Sequence, residues 1–359
     1  MSYKPISEIG EFGLIERLAK ITGPSKQQRP ELLEGIGDDC AVWQNDELAV
    51  QVATTDILTE HVHFDLLTTP LNHLGSKAIS VNVSDICAMN AMPDYALISI
   101  AVPPKMPVEM VEELYKGINH AAEVYGLTIA GGDTSSSASG LFISVSMTGT
   151  TTPELLALRK GASPGDLICV TGTLGGSTAG LHLLQREKAT MIEQMRNNEP
   201  YNKEVMAELQ EYAEAIRCHL LPEARIDIID FFSEEGIVPT AMIDISDGLV
   251  SDLAHLCRRS GVGAKIDESK LPVLAEARTV AEECQQDVFD WALTGGEDYQ
   301  LLFTVPKSQY DLISANRDIT IIGEITEKEQ GMMLTDIFGM TIDMTDMKRG
   351  FDHFAGGEG

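Results

Sequence analysis

Apolar residues recur along this chain with two periods, and the switches between them mark out its elements. Residues 41–43 (Ala-Val-Trp) and 48–53 (Leu-Ala-Val-Gln-Val-Ala) are strand-like runs separated by a polar turn, the pattern of a β-hairpin. Gly37-Asp38-Asp39-Cys40 precedes the first run and Thr54-Thr55-Asp56 follows the second. A hairpin puts both acidic groups at the same end of a sheet. Residues 11–20 space Phe12, Ile15, Leu18 and Ala19 along one side of a short helix. Residues 71–92 form a longer helical stretch in which Ile79, Val83, Ile86 and Cys87 recur at helical spacing, with Asn82 and Asp85 among them. Residues 108–125 predict an amphipathic helix, and 95–102, 127–130 and 141–149 predict strands. The order strand, strand, helix, strand, helix, strand, strand predicts a mixed sheet with helices on one face.

Pro153, Gly161, Pro164 and Gly165 cluster after this run and mark a boundary. The chain is therefore expected to form two domains, 1–150 and 151–359, of mixed α/β (α+β) class. The second half predicts a strand at 167–171, a glycine-rich turn at 172–177 and a helix from Thr178. Glycines between a strand and a helix either cradle phosphate or make an ordinary tight turn. Residues 187–214 are polar and charged and read as a partly helical surface insertion. A strand at 241–243 leads into Asp244-Ile245-Ser246-Asp247-Gly248-Leu249 and a helix at 250–260. Thr294-Gly295-Gly296-Glu297-Asp298-Tyr299 precedes a strand at 301–305, and another strand is expected at 320–325.

Composition narrows the function. The 359 residues are 43% hydrophobic, enough for a sizeable core, and 26 basic against 55 acidic side chains leave a formal charge of −29. Such a surface argues against nucleic acid or an anionic membrane as partner. An acidic protein that handles an anionic substrate needs metal ions to reverse the local field. The other reading of the charge is a solvated, solubilising surface. The six scattered cysteines form no C-x-x-C pair and read as free thiols in a reducing compartment. No apolar run approaches a membrane span and the first ten residues carry no apolar signal core, so a cytoplasmic protein is expected.

The chemistry collects in acidic turns: Asp38-Asp39, Thr55-Asp56, Asp85, Gly132-Asp133, Asp244 with Asp247, and Glu297-Asp298. Adjacent carboxylates stay ionised together only beside a cation, and many hard oxygen ligands suit Mg²⁺ with its retained waters and substrate phosphates. Each turn also has a plainer reading, a solvated loop or, for Asp85, a carboxylate bonded to nearby backbone. Zinc, calcium-loop, nucleophile-elbow and protein-kinase signatures are missing.

Six segments occur in order: Gly-Asp-Asp, Thr-Thr-Asp, Val81-Asn82-Val83-Ser84-Asp85, Gly-Gly-Asp-Thr, Asp-Ile-Ser-Asp-Gly-Leu and Gly-Gly-Glu-Asp-Tyr. Together they make the chain, from about residue 11 to 354, resemble the thiamine-monophosphate kinase family. The wider superfamily includes aminoimidazole ribonucleotide synthetase, selenophosphate synthetase and the hydrogenase-maturation dehydratase. The resemblance implies a two-domain PurM-like architecture, ATP as co-substrate, and phosphorylation of thiamine monophosphate to the diphosphate. It implies magnesium ligands at Asp39, Thr54, Thr55, Asp56, Asp85, Asp133, Asp244 and Asp247, with Asp56, Asp133 and Asp244 closest to the catalysis. Gly132, Asp133, Arg159, Ser246 and Tyr115 are implied as ATP contacts. His63, Glu297 and Phe351 are implied as substrate contacts, although Phe351 also reads as a residue that packs the tail down. A homodimer with sheets meeting across the two-fold is implied as well. The rival readings are another ATP-dependent enzyme of the superfamily and a non-enzymatic acidic metal-binding protein.

Overall fold

The computed structural model describes residues 5–22, 29–44, 46–197 and 210–347. Two sheets carry the architecture, and one helix lies between them. Helix α1 (Gly10–Thr22) is followed by strands β1 (Leu32–Glu34), β2 (Ala41–Gln44) and β3 (Val50–Thr59). Then come α2 (Leu71–Ala88), β4 (Met92–Val102), α3 (Val108–Tyr125), β5 (Thr128–Ser136) and β6 (Phe142–Thr151). These strands form a six-stranded sheet in the order β1-β2-β3-β6-β4-β5. Only β4 and β5 pair in parallel, and α3 supplies the crossover that a parallel pair requires. The expected mixed sheet with helices on one face is what forms.

The predicted hairpin is present, with Ala41 opposite Ala53 and Val42 opposite Val52. Side chains alternate across the sheet. Val50, Val52, Leu58, Ile98 and Val145 point into the core beneath α2 and α3. Ile57, Tyr95 and Leu97 point the other way and are 55%, 58% and 50% exposed, leaving that face bare among the described residues.

Helix α2 is buried along most of its length, its polar side chains Lys77, Ser80, Asn82 and Ser84 included. One side packs on β3, β4 and β6, the other on strands of the second sheet. Its buried polar groups are hydrogen-bonded, Ser80 to Tyr125 and Ser84 to Asp244 among them. One core therefore runs from Ile98 and Val145 through α2 to Leu301 and Phe303. The crossing of α2 and α3 depends on two glycines. A Cβ on Gly75 would lie 2.1 Å from the Leu114 carbonyl oxygen, and one on Gly117 would lie 1.8 Å from that of Asn72. Gly117→Ala is expected to destabilise the protein by about 2–3 kcal/mol, roughly a 5 °C fall in Tm by calorimetry. An unchanged Tm would mean the two helices separate freely.

Strands β7 (Leu167–Thr171), β8 (Ala241–Asp244), β9 (Gly263–Asp267), β10 (Leu301–Val305), β11 (Ile319–Thr326), β12 (Met332–Thr335) and β13 (Thr341–Asp343) build the second sheet. Its order is β13-β12-β9-β11-β7-β10-β8, with β12 and β9 parallel and the other pairs antiparallel. On β7, Leu167 and Cys169 face the α2 side, while Ile168 and Val170 face a second core that includes Leu253 and Leu256 of the helix Leu249–Ser260. Burial on both faces explains why β7 and β10 read as continuous apolar runs.

Three expectations change. The 71–92 helix stops at Ala88, because Met92 already pairs with Thr150 in β4. Strand β5 continues through Gly131 and Gly132 instead of ending in a turn. A Cβ on Gly132 would sit 1.7 Å from the Ile98 carbonyl oxygen, so the glycine permits a close backbone approach within the sheet. Helix α4 (Gly176–Asn197) absorbs the start of the expected 187–214 insertion, and Glu187 is only 4% exposed. Residues 198–209 of that insertion lie outside the described residues. The six cysteines are free. Among the described residues no helix is long and apolar enough to cross a membrane.

Candidate active site

Four stretches meet where α2 passes between the two sheets. The hairpin register sets Asp39, just before β2, beside Thr54–Asp56, which lie in the middle of β3 and not after its end as the sequence suggested. Thr54 and Asp56 lie on the core side of β3, in phase with the buried Val52 and Leu58. From α2, Asp85 accepts a hydrogen bond from the Thr54 hydroxyl. From the second sheet, Asp244 ends β8 and accepts 2.6 Å from the Ser84 hydroxyl. Asp39, Asp85 and Asp244 each offer a carboxylate oxygen within 4.8 Å of the others.

Burial, with repulsion between neighbours, holds Asp85, Asp244, Asp56 and Asp38 toward their protonated forms. Burial, then the charges of Asp56 and Asp244, pushes Asp85 well above the carboxylate range. Burial, then Asp39, raises Asp244 to about 7. Burial raises Asp56 to about 6. Burial and the neighbouring Asp39 raise Asp38 to about 7. Arg159 is the cation set against them. Its guanidinium grips Asp39 with two bonds of 2.6 and 3.1 Å, and its backbone N–H donates to Asp38 at 3.2 Å. One guanidinium cannot neutralise these five carboxyls. Three convergent hard oxygen donors, two of them buried, fit a divalent cation such as Mg²⁺.

These groups line one cavity of about 580 Å³, which also takes in Ser246, Asp247, His63 and Glu297. Asp247 stands in the turn after β8, whose backbone is tied down by Asp252. The buried Asp252 carboxylate accepts from the N–H groups of Asp247 and Gly248, each at 3.2 Å. The His63 ring accepts from the Thr59 N–H through Nδ1 at 3.0 Å, which leaves the proton of the neutral ring on Nε2. Glu297 adopts a left-handed backbone, φ 64°, and its N–H donates to the Ser246 carbonyl at 2.8 Å. Lys188 pairs with Asp65 at 2.6 Å at the same cavity, so part of the supposed surface insertion borders the site.

Some expected residues fall elsewhere. The Thr55 hydroxyl turns to the bare face of the sheet, bonding the Val145 carbonyl and the Ser146 hydroxyl at 3.0 Å each. Within this chain only its backbone faces the acids. Asp133, on β5, pairs with Ser99 of β4; β5 lies three strand spacings from β3, or about 14 Å, and Asp133 too lies on the bare face. Gly132 and Tyr115 are likewise outside the cavity lining, Tyr115 standing on α3 beside Glu112 and Lys116. Phe351 lies outside the described residues. The glycine-rich turn at 172–177 is not an open phosphate cradle. Buried Asp298 already accepts from the N–H groups of Gly175 at 2.8 Å and Ser177 at 3.3 Å, capping α4.

The motifs did not reveal Ser84, Asp252, His219 or Lys77. Ser84 sat inside a quoted motif, one residue before Asp85. Lys77 had a signal: the one lysine of the 71–92 stretch, seven and eight residues before Ser84 and Asp85 and so on the same helix face.

Residues 37–151 match the AIR synthase related protein, N-terminal domain, and residues 163–334 match the AIR synthase related protein, C-terminal domain. The thiamine-monophosphate kinase of Aquifex aeolicus is 40% identical over 90% of this chain and 94% of its own length. That of Bacillus subtilis is 32% identical over 96% of this chain and 99% of its own length. Among solved structures, AaThiL complexed with AMPPCP and TMP superposes with a TM-score of 0.79 at 37% identity, covering 98% of this chain and 100% of that one.

Proposed function

We propose, from the premise that this chain belongs to the thiamine-monophosphate kinase family of the AIR synthase related proteins, that it transfers the γ-phosphoryl group of ATP to the phosphate of thiamine monophosphate. The observation that carries this reading is the meeting of Asp39, Asp85 and Asp244 in one cavity with Arg159, His63 and Glu297. The acceptor phosphate is already largely ionised near neutral pH, its second pKa being about 6, so no strong general base is needed. The work left to the protein is to align two polyanions and offset the charge between them.

Asp39, Asp85 and Asp244 would hold magnesium, with Asp56 and Asp247 beside them. Bound there, magnesium supplies the positive charge that lets the two phosphates approach. Arg159 and Ser246 stand on the nucleotide side of this reading. His63, with its Nε2 proton, and Glu297 orient the acceptor. The carboxylates select against phosphates that arrive without cations. A homodimer and a cytoplasmic setting belong to the same proposal. The bare sheet face with Ile57, Tyr95 and Leu97 supports the dimer, and Asp133, Gly132 and Thr55 would then lie toward the second copy. The free cysteines support a reducing compartment. The division of the chain near residue 150 is part of this reading too.

ADP release is the decisive measurement. ADP is expected only when ATP, magnesium and thiamine monophosphate are all present. Release with a different phosphoryl acceptor alone would move the chain to another activity of the superfamily. No ADP with any acceptor would leave a metal-binding protein.

A further inference from the structure

Lys77 is among the largest fully buried side chains of the protein, at 2% exposure. It projects from α2, the helix that also delivers Ser84 and Asp85 to the site. Its Nζ donates to Oε2 of Glu297 and to the backbone carbonyl of His219, both at 3.1 Å. It therefore crosses from the first half of the chain to a turn of the second. A buried ammonium without a partner is strongly disfavoured, and one fixed between a carboxylate and a carbonyl locks both.

The neighbours make Lys77 the counter-charge of Glu297. His219 also faces Oε2, through Nδ1 at 3.4 Å, while the same nitrogen lies 3.1 Å from the Ser177 hydroxyl. Burial and Lys77 push His219 down to about 4, so it stays neutral. Burial alone would raise the Glu297 carboxyl, but Lys77 overrides it and the net direction is down. Glu297 is thus an ionised carboxylate with Oε2 engaged. Its other oxygen, Oε1, accepts no hydrogen bond among the described residues, and the residue lines the cavity. The left-handed backbone at Glu297 shows that the fold holds this side chain in a strained turn.

We propose that Lys77 is a positioning residue for the acceptor. It anchors Glu297 through Oε2 and leaves Oε1 as a fixed hydrogen-bond acceptor for an amino group on the substrate's heteroaromatic ring. The Lys77–Glu297 pair has no net charge, so the site reads this end of the substrate by a directed hydrogen bond and not by bulk attraction for its cationic ring. This rests on the reading that Glu297 meets the acceptor.

The test is steady-state kinetics on the full chain with Lys77→Met, Lys77→Arg, Glu297→Gln and the double variant Lys77→Met/Glu297→Gln. Lys77→Met is expected to raise KM for thiamine monophosphate about 10- to 100-fold, with KM for ATP changed less than about twofold. Lys77→Arg, which keeps the charge and donors, recovers most of the loss. The double variant is no worse than Glu297→Gln alone, because Lys77 acts through that carboxylate. If Lys77→Met does not fold, Lys77→Gln gives the same comparison. An unmoved KM for thiamine monophosphate, an equal rise in both KM values, or singles that multiply in the double variant overturns the proposal. Wild-type protein that releases no ADP with thiamine monophosphate overturns the proposed function as well, which separates the two failures.

Discussion

Asp244→Asn is expected to lower turnover at least about a thousandfold while the protein folds as before. The aspartate is 2% exposed at the end of β8 and is one of three carboxylates within 4.8 Å of one another. An asparagine keeps the shape and still accepts from the Ser84 hydroxyl through its amide oxygen. It removes a negative ligand from the place where the cation would sit. A thousandfold loss corresponds to about 4 kcal/mol of transition-state stabilisation, which is in the range assigned to a bound metal's offset of phosphoryl charge. Without metal the variant should be at least as stable as wild type, since a buried, mutually repelling charge has gone. Turnover is measured at saturating ATP, magnesium and thiamine monophosphate, with Tm alongside. Activity within tenfold of wild type would remove Asp244 from the metal site. A collapsed Tm would make it a structural acid instead.

Metal-free protein should grow less stable as pH rises from 5 to 8, and magnesium should reverse most of that trend. The sign follows from proton uptake on folding. Asp38 and Asp244 are raised to about 7 and Asp56 to about 6, against about 4 in the unfolded chain. Between those values the folded state holds protons that the unfolded state has lost. Their contribution is fully present below about pH 4 and disappears as pH passes 6 to 7. One carboxyl moved from 3.8 to about 7 is worth on the order of 4 kcal/mol. Glu34 acts in the opposite sense. Burial is overridden by Lys160 and Arg259, its pKa is lowered, and its stabilisation is lost only at lower pH. Three histidines also oppose the trend: His219, pushed down to about 4 mainly by burial, and His73 and His182, lowered by burial, add stability as pH rises toward their unfolded value near 6.5. The slope from 5 to 8 is the surplus of the raised acids over them. Asp298, also raised to about 7 mainly by burial, caps α4 and should keep its share of the slope in magnesium. Calorimetry on chelator-treated protein with and without magnesium gives the answer. A metal-free Tm that climbs from pH 5 to 8 would show that the acids are not held toward protonation.

Much of this was legible along the chain, for identifiable reasons. The hairpin was readable because a run of two-residue period on each side of a polar turn leaves few other foldings, and its register follows from which face is buried. Helix α3 was readable end to end because it has one wet face and one dry face. Helix α2 was placed correctly, but its end was not: its apolar pattern runs on to Met92, past the stop signals Asn90, which is left-handed at φ 53°, and Pro93. The glycines at 131–132 and 172–177 misled in the same way. Glycine marks a special backbone position without saying whether strand, ligand or another side chain comes close. At Gly132 it was the Ile98 carbonyl, and at Gly175 the Asp298 carboxylate.

The chain alone determined that acids follow or precede apolar runs at six places, and that their charge calls for a cation. It also determined the family resemblance, because ordered motifs are a property of sequence. Only the tertiary structure decided which acids meet. Asp39, Asp85 and Asp244 come from a hairpin, a helix and a second sheet, and their distances depend on how α2 is clasped between two cores. It also decided that Thr55 and Asp133 face the other side of the sheet, since the side of a strand is set by its register against neighbours far away in the chain. Lys77 shows the same dependence: its role lies in a bond to a residue 220 positions later, which no local pattern can specify.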